Sequence, residues 1–293
     1  MTEADRPPLS VVVATRDRPD QLARCLRALA AALGPDDELV VVDSASRDDR
    51  TRQVATAAGA HVARAERPGT SRARNIGWRC ARHDVIAFTD DDVEVSAEWV
   101  DAMARSLAVP GRRWVTGWIG VTVEQPGAQE FNPQMLADAP MRLDRAHRGS
   151  LGASANLGAH RSLLDAVGGF DERFGPGTWT SAAEDVELFD RFLAAGVDGY
   201  YDPDVRVFHE QWRGRRDAVT LHWRYGKGMG ARLARLTWRD PRRAARSAYD
   251  VLGPEGLGAM LRCLRAGYEL GALVAATRVL GTVTGFLAWV WRR

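Results

Sequence analysis

Three adjacent carboxylates, Asp90, Asp91 and Asp92, close the apolar run 85–89 (VIAFT). Like charges this close repel one another and are costly to hold together unless a cation compensates them. Oxygen-only donors suit a hard divalent ion, Mg²⁺ or Mn²⁺, which keeps waters and bridges substrate phosphates. A solvated acidic turn is the competing reading of a bare DDD; its place directly after a strand favours metal. A second acidic pair, Glu184-Asp185, opens a helical stretch whose Leu188, Phe192 and Leu193 form an apolar face. Acidic residues in a first helical turn also suit the helix dipole without further purpose. His209 follows the alternating run 205–208, where a histidine serves structure as readily as ligation.

The elements that must position these groups are legible from pattern. The run 9–14 (LSVVVA) is continuously apolar, as expected of a parallel strand covered on both faces. Pro19 then opens a helix with Leu22, Cys25, Leu26, Leu29 and Leu33 at helical spacing. A second strand, 38–42, ends on Asp43; helices are expected at 47–58 and 71–82, a weak strand at 61–65, and a helix from Ala183 to Ala195. Strand–helix alternation with short links predicts right-handed crossovers and an open, mostly parallel sheet. Polar residues gather after three strands, at 15–18, 43–46 and 90–92. Ligands in such sheets bind outside the carboxyl ends of the strands, so three strand ends point to one site.

Composition excludes several classes. A chain of 293 residues with 45% hydrophobic and 27% charged residues can bury a large core. Net charge is only +2, giving no global field for nucleic acid. Lys227 is the only lysine, so arginine at any one site says little about guanidinium chemistry. The three cysteines are scattered, without zinc or disulfide spacing, and fit a reducing compartment. Residues 1–10 hold no apolar stretch of the secretory kind, so a cytoplasmic location is expected.

Five segments in order, VVVATRDRP (11–19), VVDSASRDD (41–49), PGTSRARNIG (68–77), FTDDD (88–92) and EDVELFDR (184–191), resemble family 2 glycosyltransferases of the GT-A fold. The resemblance covers roughly 9–210 and implies a nucleotide-diphospho-sugar transferase-like domain over 1–212. Its nucleotide half would be 1–110 and its acceptor half 111–212, with a helical extension over 213–293. It implies Thr15 against the base, Asp43 accepting from a uracil or thymine imide N–H, Asp91 facing the ribose and Asp92 on the metal. Arg18, Asp90 and one of Arg72 and Arg74 would line the donor. Asn75 would fix the local turn. Asp185 would be the general base of an inverting transfer, with Glu184 orienting it or binding acceptor. His209 would complete the metal or diphosphate shell. The implied activity moves a sugar from a UDP- or dTDP-sugar to an acceptor hydroxyl, in cell-surface polysaccharide, glycolipid or natural-product glycosylation.

On the acceptor side, the small-residue stretch 149–161 offers Gly152, Ala153 and Asn156 as contacts, or glycine there serves tight packing. Trp179, in the loop 175–181, could stack on an acceptor sugar or fill core. Between 211 and 246 eleven basic residues face two aspartates, interleaved with Trp212, Trp223, Tyr225 and Trp238. The apolar stretch 279–291 beyond is short for a bilayer span, and Trp289, Trp291, Arg292 and Arg293 resemble an interfacial anchor. A monotopic contact with the inner face of the cell membrane, close to a lipid-linked acceptor, competes with packing on the catalytic domain or a homodimer contact.

Other readings fare worse. No G-x-G-x-x-G opens the first helix, which argues against a dehydrogenase. A nucleotidyltransferase would want a glycine-rich basic loop after the first strand, and 15–19 is TRDRP. A non-catalytic protein binding anionic lipid or nucleic acid through the basic region is the alternative from another class, although no nucleic acid partner is expected.

Overall fold

The computed structural model describes residues 6–122, 134–147, 149–210 and 215–292. Trp212, Arg293 and the expected boundary at 212–213 lie outside the described residues. The N-terminal strands are β1 (Ser10–Thr15), β2 (Glu38–Asp43), β3 (His61–Arg64) and β4 (Val85–Asp90), alternating with α1 (Pro19–Ala32), α2 (Arg50–Ala57) and α3 (Thr70–Cys80). They pair in parallel in the order β3-β2-β1-β4, with Thr15 opposite Asp43 and Ala14 opposite Asp90. Every residue of β1 is buried, which is why its pattern is continuous rather than alternating. Helix α1 places Leu22, Cys25, Leu26, Leu29 and Ala32 in the core. Gly77 in α3 brings that helix close to the sheet: a Cβ there would stand 2.3 Å from a Val12 methyl.

Beyond β4 the sheet becomes mixed. The later elements are β5 (Val93–Val95), α4 (Trp99–Ala108), β6 (Trp114–Thr122), β7 (Met141–Leu143), β8 (Leu157–His160), α5 (Arg161–Val167), α6 (Glu184–Ala194) and β9 (Gly199–Glu210). Strand β8 runs antiparallel to both β4 and β6; β6 is parallel to β9, and β5 and β7 pair antiparallel with β9. The regular crossover helices stop after β4, so nothing enforces a parallel sense there. The antiparallel β5–β9 pair sets Val93 opposite His209, which carries the histidine to the strand that follows the three aspartates.

The chain forms two compact units. Among the described residues, one takes the stretches within Met1–Asp171 and Leu188–Gln211, the other those within Glu172–Glu187 and Trp212–Arg293. The second unit is built on α7 (Arg215–Arg239), α8 (Pro241–Leu252), α9 (Gly258–Arg265) and α10 (Glu269–Trp291). Helices α7 and α10 meet backbone to backbone. A Cβ on Gly226 or Gly230 would stand 2.2 or 1.9 Å from the Arg278 or Thr282 carbonyl oxygen. One on Gly281 or Gly285 would stand 2.6 or 2.0 Å from that of Trp223 or Lys227. Glycines four apart on both helices make that approach feasible. A small core of Phe174, Ala183, Ala231, Ala234 and Trp289 closes the unit.

Candidate active site

The acidic cluster sits at the carboxyl edge of β4, with Asp91 and Asp92 about 95% buried. Thr15, at the end of β1, donates its hydroxyl to Asp91 at 2.8 Å. Arg18, in the turn before α1, donates to Asp91 at 2.9 Å and to Asp92 at 3.2 Å. Arg74, buried on α3, pairs with Asp90, while Arg72 is only half-buried. Of the two arginines, Arg74 is the one seen paired with the acidic cluster. Burial works against the Arg18 charge, and Asp91 and Asp92 outweigh it, so the guanidinium pKa lies above its ordinary value. Burial raises the Asp91 carboxyl well above the carboxylate range, and Asp92 raises it further, with Arg18 and Thr15 only partly opposing them.

His209 bears on the same cluster. Its Nδ1 lies 3.1 Å from the Glu210 carbonyl, which can only accept, so Nδ1 carries the proton. In the neutral ring Nε2 then presents a lone pair, 3.5 Å from Asp92 Oδ1. Two lone pairs facing each other at that distance call for a proton or a cation between them. These donors fit a divalent ion that takes one or two protein ligands and completes its shell with phosphates and water. Among the described residues, no group of three His, Cys, Asp or Glu side chains converges as an all-protein cage.

Asp43 is 2% exposed at the end of β2. Its Oδ1 accepts from the Ser46 N–H at 2.9 Å and its Oδ2 pairs with Arg64. Arg64 was not marked by the motifs, yet it stands opposite Asp43 in the parallel β2–β3 register, the one signal that could have found it. Its side chain is half exposed. Glu210 and Arg24 were likewise missed; they pair with each other, and the Glu210 N–H donates to the Asp92 carbonyl at 2.8 Å, fixing β9 beside the cluster.

Non-glycine residues with positive φ mark the loops named for function. Asp17 (φ 54) and Ala45 (φ 60) lie after β1 and β2, and Ser181 (φ 66) and Ala183 (φ 70) lie just ahead of Glu184. Such conformations cost of order 1–3 kcal/mol each and persist where surroundings impose them. In the second unit Glu184 is nearly buried and Asp185 is half-buried, its Oδ1 accepting from the Val186 N–H at 2.8 Å. Two residues on, Glu187 pairs with Arg235 at 3.0 Å, tying this turn to α7.

The acceptor-side expectations need correcting at Asn156. It is wholly buried, donates to the Trp118 and Val205 carbonyls at 3.0 and 2.8 Å, and accepts from the Trp99 indole at 2.8 Å. With its amide spent on three chain segments, it braces the core and touches no acceptor. Gly152 and Ala153 are half-buried; Gly152 has φ +104, and a Cβ there would meet Thr116 at 2.5 Å, so packing explains the glycine. Trp179 packs on Trp289 at 6.0 Å between ring centroids, with the Arg292 guanidinium 4.8 Å over its ring. Asn75 exchanges hydrogen bonds with the backbone of Phe170 and accepts from Trp78, so beyond its own turn it ties α3 to a segment distant in sequence.

The profile of Glycosyl transferase family 2 matches residues 10–164, more than half of the chain and the whole parallel sheet with its acidic strand end. The chain belongs to glycosyl transferase family 2. It is 30% identical over 176 residues to the pre-mycofactocin glycosyltransferase of Mycobacterium tuberculosis strains CDC 1551 and H37Rv, covering 57% of this chain and 35% of that protein. This family member thus spans about a third of the curated relatives it matches. Among solved structures, it is similar to the mannosyltransferase PcManGT from Pyrobaculum calidifontis in complex with GDP-Man and Mn²⁺ (TM-score 0.64, 18% identity, 98% of this chain and 88% of that one). It is also similar to S. aureus TarS 1–349 in complex with UDP-GlcNAc (TM-score 0.57, 15% identity, 94% and 92%). These likenesses establish the GT-A fold. Glu184, Asp185 and His209 lie beyond residues 10–164, which the family profile matches.

Proposed function

We propose that this family 2 member is an inverting, metal-dependent glycosyltransferase that moves a sugar from a nucleotide-sugar to an acceptor hydroxyl. The observation that carries the reading is the meeting of Thr15, Arg18, Asp91, Asp92 and His209 at one sheet edge, where buried carboxylates stand beside an imidazole nitrogen. Oxygen and imidazole donors of this kind suit the divalent ion that accompanies a nucleoside diphosphate. The neighbours in complex with GDP-Man and Mn²⁺ and with UDP-GlcNAc support a donor of this kind.

In this reading Asp43 accepts from the imide N–H of uracil or thymine once Arg64 yields one of its oxygens, which favours a UDP- or dTDP-sugar. Asp91 takes the ribose side, and Arg18 and Arg74 hold the acidic edge in place. Asp92 and the Nε2 of His209 would hold Mg²⁺ or Mn²⁺, which when bound offsets charge on the departing diphosphate. Asp185 takes the proton from the acceptor hydroxyl as its oxygen bonds to the anomeric carbon. The bond from that carbon to the phosphate oxygen breaks, and its electron pair leaves with the nucleoside diphosphate. Glu184 orients the base. The acceptor is a carbohydrate, lipid-linked or small-molecule hydroxyl at the cytoplasmic side, and the second unit brings a membrane or a homodimer contact.

The test is release of nucleoside diphosphate from UDP-, dTDP- and GDP-sugars with Mn²⁺, in the wild type and Asp92→Ala. Turnover of one donor that Asp92→Ala loses supports the reading. Turnover that survives the substitution sinks the metal role, and no turnover with any donor or acceptor mixture counts against the activity.

A further inference from the structure

The second unit leaves a large apolar surface in water. Leu273, Leu280 and Leu287 on α10 are 53%, 61% and 62% exposed, with the exposed Val283 between the last two and Val290 just beyond them. This 3–4 spacing places all five on one stripe of the helix. Gly281 and Gly285, by contrast, lie against α7. Helix α9 adds Leu261 and Leu264, also about half exposed. Among the described residues the first unit exposes only Val109 and Leu136 in this way. Exposed apolar side chains gathered on one helix stripe in this way mark a contact surface.

We propose that this leucine face docks on an anionic lipid bilayer from one side, without crossing it. Charge selects the occupant. The stretch 212–293 carries sixteen basic against five acidic residues, whereas 1–211 carries twenty-four against thirty-three. Arg262 and Arg265 are exposed next to Leu261 and Leu264, where their stems can lie along the apolar surface and their heads reach phosphate. Within α10 the one charge after Glu269 is Arg278, whose guanidinium is paired with Glu255 at 3.3 Å. In length, 23 residues at about 1.5 Å each would cross a bilayer. Helix α7 forbids it. Packed backbone to backbone on α10, it carries Arg224, Lys227, Arg232 and Arg235, so hydrocarbon cannot surround the pair. A second copy suits the face less well: like basic surfaces would meet across a symmetric seam, and the positions flanking the leucines, Thr277, Val279, Thr284 and Phe286, offer no opposite charge to pair.

The experiment is co-sedimentation of the full chain with vesicles of phosphatidylcholine, and of phosphatidylcholine mixed with phosphatidylglycerol. Wild type, Leu280→Ser/Leu287→Ser and Arg262→Gln/Arg265→Gln are compared, all four mutated side chains being exposed. Circular dichroism melts confirm that each variant is folded. The expected result is binding to the mixed vesicles, weakened on the order of tenfold by the serine pair and on the order of tenfold by the glutamine pair. Alkaline carbonate should release the protein. No binding to mixed vesicles, equal binding by the serine pair, or resistance to carbonate overturns the proposal. So does a concentration-dependent dimer in sedimentation velocity that the serine pair abolishes while wild type ignores vesicles.

Discussion

The two units handle the same two materials, charge and apolar surface, in opposite ways. In the first, apolar side chains are inside, and buried acidic groups are held at the sheet edge by Arg18, Arg74 and Thr15. In the second, leucines face outward, basic residues outnumber acidic ones, and cohesion comes from glycines that let α7 and α10 touch backbone to backbone. Carboxylates buried side by side are costly to keep charged, and on the proposed function a divalent cation is what they serve. Exposed leucines framed by arginines imply a partner that is apolar with an anionic surface. The difference teaches that the two regions are under different constraints; on the account proposed above, one holds a small charged ligand and the other meets a large surface.

Five substitutions sharpen or break that contrast, the largest effect first. Asp92→Ala should lower turnover by about 10³-fold or more, since it removes the carboxylate opposite His209; steady-state kinetics with saturating Mn²⁺ measures it. Asp185→Asn should cost about 10²- to 10⁴-fold in kcat while nucleotide affinity stays within a factor of two or so. Unchanged turnover there would remove Asp185 from the base role. Asn156→Ala should destabilise by about 2–5 kcal/mol, because it strands the Trp99 N–H and two buried carbonyls. Denaturant unfolding measures that cost, and an altered acceptor KM in a fully stable protein would restore the acceptor-contact reading. Gly285→Val should drive α10 off the Lys227 carbonyl and cost about 1–3 kcal/mol or more, visible as an early transition in thermal unfolding.

The smallest effect concerns Asp37, which lies buried against Arg6. Burial alone would raise its pKa, but hydrogen bonds from Arg6, Leu9 and Gly34 bring it below the ordinary value. The folded pKa being depressed, its contribution is present above the unfolded value of about 4 and is lost as pH falls through the folded one. Asp37→Asn should therefore be less stable than wild type at neutral pH and should lose less stability on acidification below about pH 4. Parallel acid titrations of unfolding would contradict this.

Much of the first unit was legible in the sequence because its signals are local. The continuous run of β1, Pro19 at the start of α1 and the DDD after β4 each state their environment within a few residues. What escaped depends on pairing between distant segments. Arg64 became a neighbour of Asp43 only through strand register, and Glu210 reached Asp92 only because β9 pairs with β5. Asn156 misled for the same reason: a polar residue among small ones suggests a ligand loop, and only the fold reveals three segments converging on its amide. The glycines of α7 and α10 fall into place only once the two helices are seen in contact.

The central claim is tested most directly by calorimetry of UDP, dTDP and GDP, with and without Mn²⁺, on wild type and Asp92→Ala. The account predicts metal-dependent binding of a pyrimidine nucleotide, lost in Asp92→Ala. Binding that is indifferent to Mn²⁺ and to Asp92, or no binding of any of the three, would contradict it.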